Sequence, residues 1–169
     1  IAARKNKTAV QVDDFNDAID RVIGGLEKKN KIISPQEKEI IAYHEAGHAV
    51  CGWYLEHADP LLKVTIIPRG EAALGYAQYL PKEEYITRTE ALLDRMCMTM
   101  GGRAAERLVF NKISTGAQSD LDQVTRMSYS MISVYGMNEK VGNVSFYGLS
   151  QEGFNRPYSD ETAKIMDEE

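Results

Sequence analysis

The sequence predicts a mainly α-helical protein with a small β-sheet, an α+β class, on three observations. Four segments of the 169 residues carry apolar side chains at helical spacing between capping or breaking residues. Only two short runs, 62–68 and 74–80, read as strands bounded by Gly or Pro. A balance of 43% apolar to 27% charged residues supports one ordinary core.

The first helix is expected after residue 12, with Asp13 or Asp14 as cap, Phe15, Ala18, Ile19, Val22 and Ile23 at helical spacing, and Gly24-Gly25 as its end. The charged stretch from Leu26 to Lys31 reads as a linker, which puts a boundary near residue 28. Ser34, Pro35 and Glu37 then supply an N-cap, a first-turn proline and the reciprocal carboxylate of a capping box, opening a helix from about Pro35 to about His57. Leu62 to Pro68 is a strand with Val64, Thr65, Ile66 and Ile67. Arg69, Gly70 and Glu71 make a turn, and Leu74 to Leu80 is a second strand closed by Pro81. Thr87 and Glu90 form another capping box. The helix behind it meets Gly101-Gly102, which either break it or admit another backbone, and helical spacing resumes from Ala104 to Phe110. A last strong helix runs from about Gln118 to Tyr135 with Gly136 as its stop, and residues 148–158 read as loop.

Charge and composition exclude several classes of function. The net charge of -5, from 25 acidic and 20 basic residues without a basic stripe, argues against nucleic acid as a partner. No apolar run approaches the roughly 20 residues of a membrane span, so any membrane anchor is expected outside these residues. Cys51 and Cys97 make no disulfide framework and are expected as buried free thiols in a reducing compartment. Opening on Ile1 and stopping in an acidic helical stretch at Glu169, the chain reads as a piece of something longer.

The residues that carry chemistry are His44-Glu45-Ala46-Gly47-His48, an H-E-x-x-H match inside the best-capped helix. Positions four apart lie about 40° apart around a helix, so both imidazoles face one side and can share one ion. Zinc suits two neutral imidazoles, and Glu45 can serve as general base toward water at an open position. Core histidines are the plain alternative, but two at this spacing with glutamate between, in a chain of three histidines, favour a metal site. His57 near the end of the same helix points away. Cys51 and Tyr54 stand where the metzincin spacing needs glycine and histidine, so the third ligand is expected to be a carboxylate. Spacing leaves Glu71, Glu83, Glu84, Glu90, Asp94, Glu106, Asp120 and Asp122 open. Asp120 stands out because the small-residue turn 114–117 feeds directly into its helix, although an aspartate there commonly just complements the helix dipole.

Residues 44–48, 63–70, 101–103, 114–117 with Asp120, and 136–140 together resemble the FtsH-type AAA+ zinc metalloproteases, over nearly the whole chain. Segments 52–62 and 94–98 look most like the mitochondrial m-AAA branch. The resemblance implies that residues 1–28 are the C-terminal end of an ATPase lid subdomain. It implies that residues 29–169 are a zincin-like helical peptidase domain, truncated at its C-terminus. By the same resemblance His44, His48 and Asp120 are zinc ligands and Glu45 is the base, while ATP and magnesium belong to an ATPase domain not present here. The partners implied are unfolded or membrane protein substrates and like subunits of a homo- or hetero-hexamer, at the mitochondrial inner membrane with the catalytic domain facing the matrix. In zinc proteases of this kind an edge strand runs beside the metal helix, so Gly75, Tyr76, Ala77 and Gln78 are expected to hold substrate through main-chain hydrogen bonds. The competing expectation is a zinc-stabilised ring-forming or peptide-binding module without hydrolysis, for which four protein ligands to the ion would speak.

Overall fold

A computed structural model describes residues 1–28, 32–69, 74–148 and 156–169. Five α-helices and one two-stranded sheet are present among the described residues, in the order α1 (Val12–Ile23), α2 (Pro35–Tyr54), β1 (Leu61–Thr65), β2 (Tyr76–Tyr79), α3 (Thr89–Phe110), α4 (Gln118–Ser133) and α5 (Asp160–Glu168). The mainly helical class with a small sheet is therefore as expected. The turn expected at Gly70 and Glu71, the first residue after the expected boundary and most of the expected loop at 148–158 lie outside the described residues.

Local chemistry explains each helix start. For α2, the Glu37 N–H donates to Ser34 Oγ at 3.2 Å while the Ser34 N–H donates to the Glu37 carboxylate at 3.1 Å, the capping box that the sequence predicts. The helix ends at Tyr54, three residues before His57, where Leu55 turns extended. The start of α1 differs from expectation, because Gln11 is the cap and Asp14 reaches back to accept from its N–H at 3.0 Å. The Thr87–Glu90 box does not form. Arg88 is the extended residue before α3, which leaves Glu90 in the first turn to complement the helix dipole. Ser159 caps α5 by accepting from the Thr162 N–H.

Helix α3 runs unbroken through Gly101 and Gly102, so these glycines serve close approach and do not break the helix. A Cβ at Gly47 of α2 would overlap the Gly101 carbonyl and stand 2.7 Å from the Ala105 Cβ. The two backbones thus touch, and α2 packs antiparallel on α3 with Tyr43 edge-on to Phe110 at a 5.5 Å ring separation. Leu92 of α3 and Met131 and Ile132 of α4 are buried.

Strands β1 and β2 pair antiparallel, with Val64 opposite Ala77 and Thr65 opposite Tyr76, and an irregularity between Leu61 and Lys63. Both are shorter than the runs that predict them. The described part of the expected linker is attached to this hairpin: Lys28 N–H donates to the Pro68 carbonyl at 3.0 Å and Glu27 bridges Arg69. Helix α1 buries its acidic side. Phe15, Ile19, Val22 and Ile23 are exposed, and its buried residues are Asp14 and Asp20. Asp20 accepts from Lys63 Nζ at 2.5 Å, Arg69 at 3.2 Å and the Tyr76 hydroxyl at 3.0 Å. No helix of the described residues is long and apolar enough to cross a membrane.

Candidate metal centre

The middle of α2 carries His44, Glu45 and His48 on the side facing α3, α4 and the hairpin, where glycines make the room. A Cβ at Gly102 would stand 2.5 Å from His44 Nε2, and one at Gly75 would stand 2.9 Å from Glu45 Cγ. Any larger residue at either position would displace the imidazole or the carboxylate. The turn Thr115–Ala117 then delivers Asp120 in the first turn of α4, behind a fully buried Ala117.

His44 Nε2 lies 3.1 Å from Asp120 Oδ2, and His48 Nε2 lies 3.7 Å from the same oxygen. One donor atom from each of His44, His48 and Asp120 fits within a 4.8 Å cluster, and this is the one such group among the described residues. The two rings meet edge to face at 4.7 Å. The opposite ring nitrogens are held from behind. Glu106 Oε1 sits 2.7 Å from His44 Nδ1, and the Met98 carbonyl sits 3.0 Å from His48 Nδ1. Both acceptors favour the tautomer with the proton on Nδ1 and the lone pair on Nε2, directed into the cluster. Two neutral imidazoles and a carboxylate converging from rigid helices are the donor set zinc takes, so the residues fit the ion.

Glu106 corrects one sequence-level possibility. It is 1% exposed and faces the back of His44, and its second oxygen accepts from the Ser114 N–H at 2.7 Å. It holds the His44 ring and the 114–117 turn and does not join the cluster. The remaining carboxylate candidates also stand elsewhere: Asp122 pairs with Arg126 at 2.9 Å, Asp94 accepts from the His57 N–H at 2.9 Å, and Glu83, Glu84 and Glu90 are exposed. Glu71 lies outside the described residues. His57 is exposed and away from the cluster, as expected.

Burial shapes the acid–base chemistry here. Glu45 is 8% exposed, and desolvation, reduced by His44 and reinforced by the Asp120 charge, pushes its carboxyl up to about 7. For His44, burial disfavours the charged form, but hydrogen bonds from the imidazole to Asp120 and Glu106 outweigh it and raise the imidazole above its ordinary value. Glu106 is lowered on balance, since its bonds to His44 and Ser114 overcome its burial. A cleft of about 1010 Å³ opens over the cluster, lined by Glu45 and His48, by Gly75, Tyr76, Ala77 and Tyr79 of the hairpin, and by Gln118, Ser119, Asp120, Asp122 and Gln123 of α4. Gln78 is not part of that lining, and the Tyr76 hydroxyl is turned to Asp20.

Comparison with known proteins places this geometry in a family. Residues 31–169 match peptidase family M41. The chain belongs to that family. Over its whole length the M41 chain is 64% identical to an ATP-dependent zinc metalloprotease FtsH of Rhodothermus marinus. It is 59% identical to the mouse mitochondrial inner membrane m-AAA protease component AFG3L2, and 57% identical to the mitochondrial ATP-dependent zinc metalloprotease FTSH 8 of rice. It spans 25% of the length of the first of these relatives and 21% of each of the other two.

Proposed function

We propose that this M41 chain is the peptidase portion of an ATP-driven zinc endopeptidase, with His44, His48 and Asp120 holding the ion and Glu45 acting as general base. The observation that carries this reading is the convergence of those three donors beside a buried carboxylate that lines an open cleft. Zinc, when bound, supplies Lewis-acid polarisation of the scissile carbonyl and makes water more acidic. The chain's residues supply the rest. Glu106 and the Met98 carbonyl keep both imidazoles aimed at the ion by accepting their Nδ1 protons. Glu45, buried beside the cluster, takes a proton from the attacking water and returns it to the nitrogen of the departing peptide. The hairpin wall gives β2 and the Gly75 before it a place to hold an extended substrate through main-chain hydrogen bonds, with Gly75, Tyr76 and Ala77 facing the cleft and Gln78, expected with them, outside its lining.

The relatives' names support the wider reading. The printed name of the bacterial relative supports ATP dependence, and the proposal extends it to a hexamer of like subunits, unfolded or membrane protein substrates and a membrane anchor in another part of the protein. The mouse relative's name supports the mitochondrial inner membrane as the location and the rice relative's the mitochondrion, and the proposal places the peptidase portion on the matrix side. The exposed apolar side of α1 supports assigning residues 1–28 to the end of an ATPase lid and residues from 29 onward to the peptidase domain. Three protein donors to the ion among the described residues favour catalysis over a structural zinc module, which takes four.

The test is Glu45→Gln. The amide cannot accept the water's proton, so the variant should retain zinc and lose peptide hydrolysis by roughly a hundredfold or more. Turnover near wild type in a zinc-loaded variant would remove Glu45 from its role.

A further inference from the structure

The pairing of α2 with α3 brings together the two cysteines of the chain. His44 meets Glu106, Gly47 meets Gly101, and His48 meets the Met98 carbonyl, so the helices run in opposite directions past one another. One turn forward from Gly47 is Cys51, and one turn back from Gly101 is Cys97. Cys51 Sγ lies 2.9 Å from where a Gly101 Cβ would stand, and burial first and then the neighbouring Cys97 thiol raise the Cys51 thiol above its ordinary value. Glycines at the crossing remove the side chains that ordinarily space helices apart. That brings the chain positions one turn away toward the Cα separation of about 4.4–6.8 Å that a disulfide bridges.

The two thiols also differ in access. Cys97 is exposed, against the expectation of a buried thiol, while Cys51 is half-buried. An oxidant in solution therefore meets Cys97 first and Cys51 stands behind it, as a resolving thiol does.

We propose that Cys51 and Cys97 are a redox modification site, a thiol pair that a small soluble disulfide such as oxidised glutathione closes into a bond between α2 and α3. In the first step the Cys97 thiolate attacks one glutathione sulfur, the glutathione S–S bond breaks and one glutathione thiolate leaves. In the second, Cys51 gives up its proton to water and its thiolate attacks the Cys97 sulfur, expelling the second glutathione thiolate. Two protein thiols lose two electrons, and one glutathione disulfide becomes two thiols. The new bond ties the metal helix to the helix that orients both imidazoles, since Cys51 lies three residues after His48 and Cys97 precedes Met98.

The experiment treats the full-length, zinc-loaded protein with excess oxidised glutathione, blocks free thiols, digests with trypsin and measures masses without reduction. The expected product is peptide 39–63 linked to peptide 96–103, two hydrogens lighter than their sum, and separated again by dithiothreitol. Cys51→Ala should stop at a glutathione adduct on peptide 96–103. Cys97→Ser should leave Cys51 unmodified in the folded protein. Wild-type protein that stays thiol, or that carries glutathione on Cys97 without forming the link, overturns the proposal. So does a Cys97→Ser variant whose Cys51 is modified as fast as Cys97 is in wild type.

Discussion

Replacing Glu106 with glutamine tests the arrangement behind the metal centre, because it alters the support of a ligand without touching a donor atom. Glu106 is 1% exposed and uses both carboxylate oxygens, one 2.7 Å from His44 Nδ1 and one 2.7 Å from the Ser114 nitrogen. A glutamine of the same shape offers one acceptor and one donor group. Either the Ser114 N–H or the His44 Nδ1–H must then face an NH₂, which leaves a buried donor unpaired at a cost of about 1–3 kcal/mol. His44 can relieve the clash by moving its proton to Nε2, but that places a hydrogen where the ion needs a lone pair. Zinc affinity should fall by about 10–100-fold, the usual effect of losing the group behind a ligating histidine. Expressed as free energy this is about 1.4–2.8 kcal/mol, within the range the unpaired donor sets. Competition for zinc against a chromophoric chelator reads the change, and hydrolysis should recover substantially at saturating zinc. A dissociation constant within twofold of wild type would refute the claim that Glu106 governs His44.

Further outcomes follow from other parts of the fold. Gly47→Ala should destabilise the protein by about 1–3 kcal/mol or prevent folding, because its methyl overlaps the Gly101 carbonyl; a thermal midpoint equal to wild type would contradict the close approach of α2 and α3. Asp20 would be raised by its burial, but Lys63 and Tyr76 hydrogen bonds and the Lys63 and Arg69 charges hold its carboxyl below the ordinary value of 3.8. Its folded pKa thus lies under its unfolded one, so its contribution to stability is present above about pH 4 and is lost as pH falls through the folded value. Unfolding midpoints measured from pH 7 to pH 3 should therefore decline less steeply for Asp20→Asn than for wild type. On β2, proline at Ala77 or at Gln78 removes one main-chain donor each, and successive donors point to opposite sides. One of the two variants should raise KM for unfolded protein with zinc content unchanged, and normal cleavage by both would exclude binding along this strand.

The legible parts of the molecule were those governed by short-range chemistry. Ser34, Pro35 and Glu37 specify the start of α2 because the capping box is made by residues three apart. The paired imidazoles follow from helix periodicity alone. Thr87 and Glu90 match the same pattern yet form no box, since the chain stays extended through Arg88, and the motif cannot say which residue begins the helix. Asp120 was one carboxylate among eight by spacing; what brings it to the imidazoles of α2 is the packing of α4 against α3, a long-range fact. Glu106 was visible only as a candidate ligand, because nothing local distinguishes an acid facing the ion from one facing the back of an imidazole. The same limit hid Asp20. Periodicity puts Phe15, Ile19, Val22 and Ile23 on one side of α1 without saying which side is covered, and two cations and a tyrosine hydroxyl from the hairpin bury the acidic side.

The central claim is that three side chains from two helices hold one zinc ion beside Glu45. A crystal structure of the zinc-loaded protein, with anomalous scattering recorded on both sides of the zinc absorption edge, tests it most directly. The account predicts one zinc per chain bound by His44 Nε2, His48 Nε2 and the Asp120 carboxylate, with the fourth position open to solvent and Glu45 beside it but not bound. Zinc held by Glu106 in place of Asp120, or closed off by a fourth protein ligand, would contradict it.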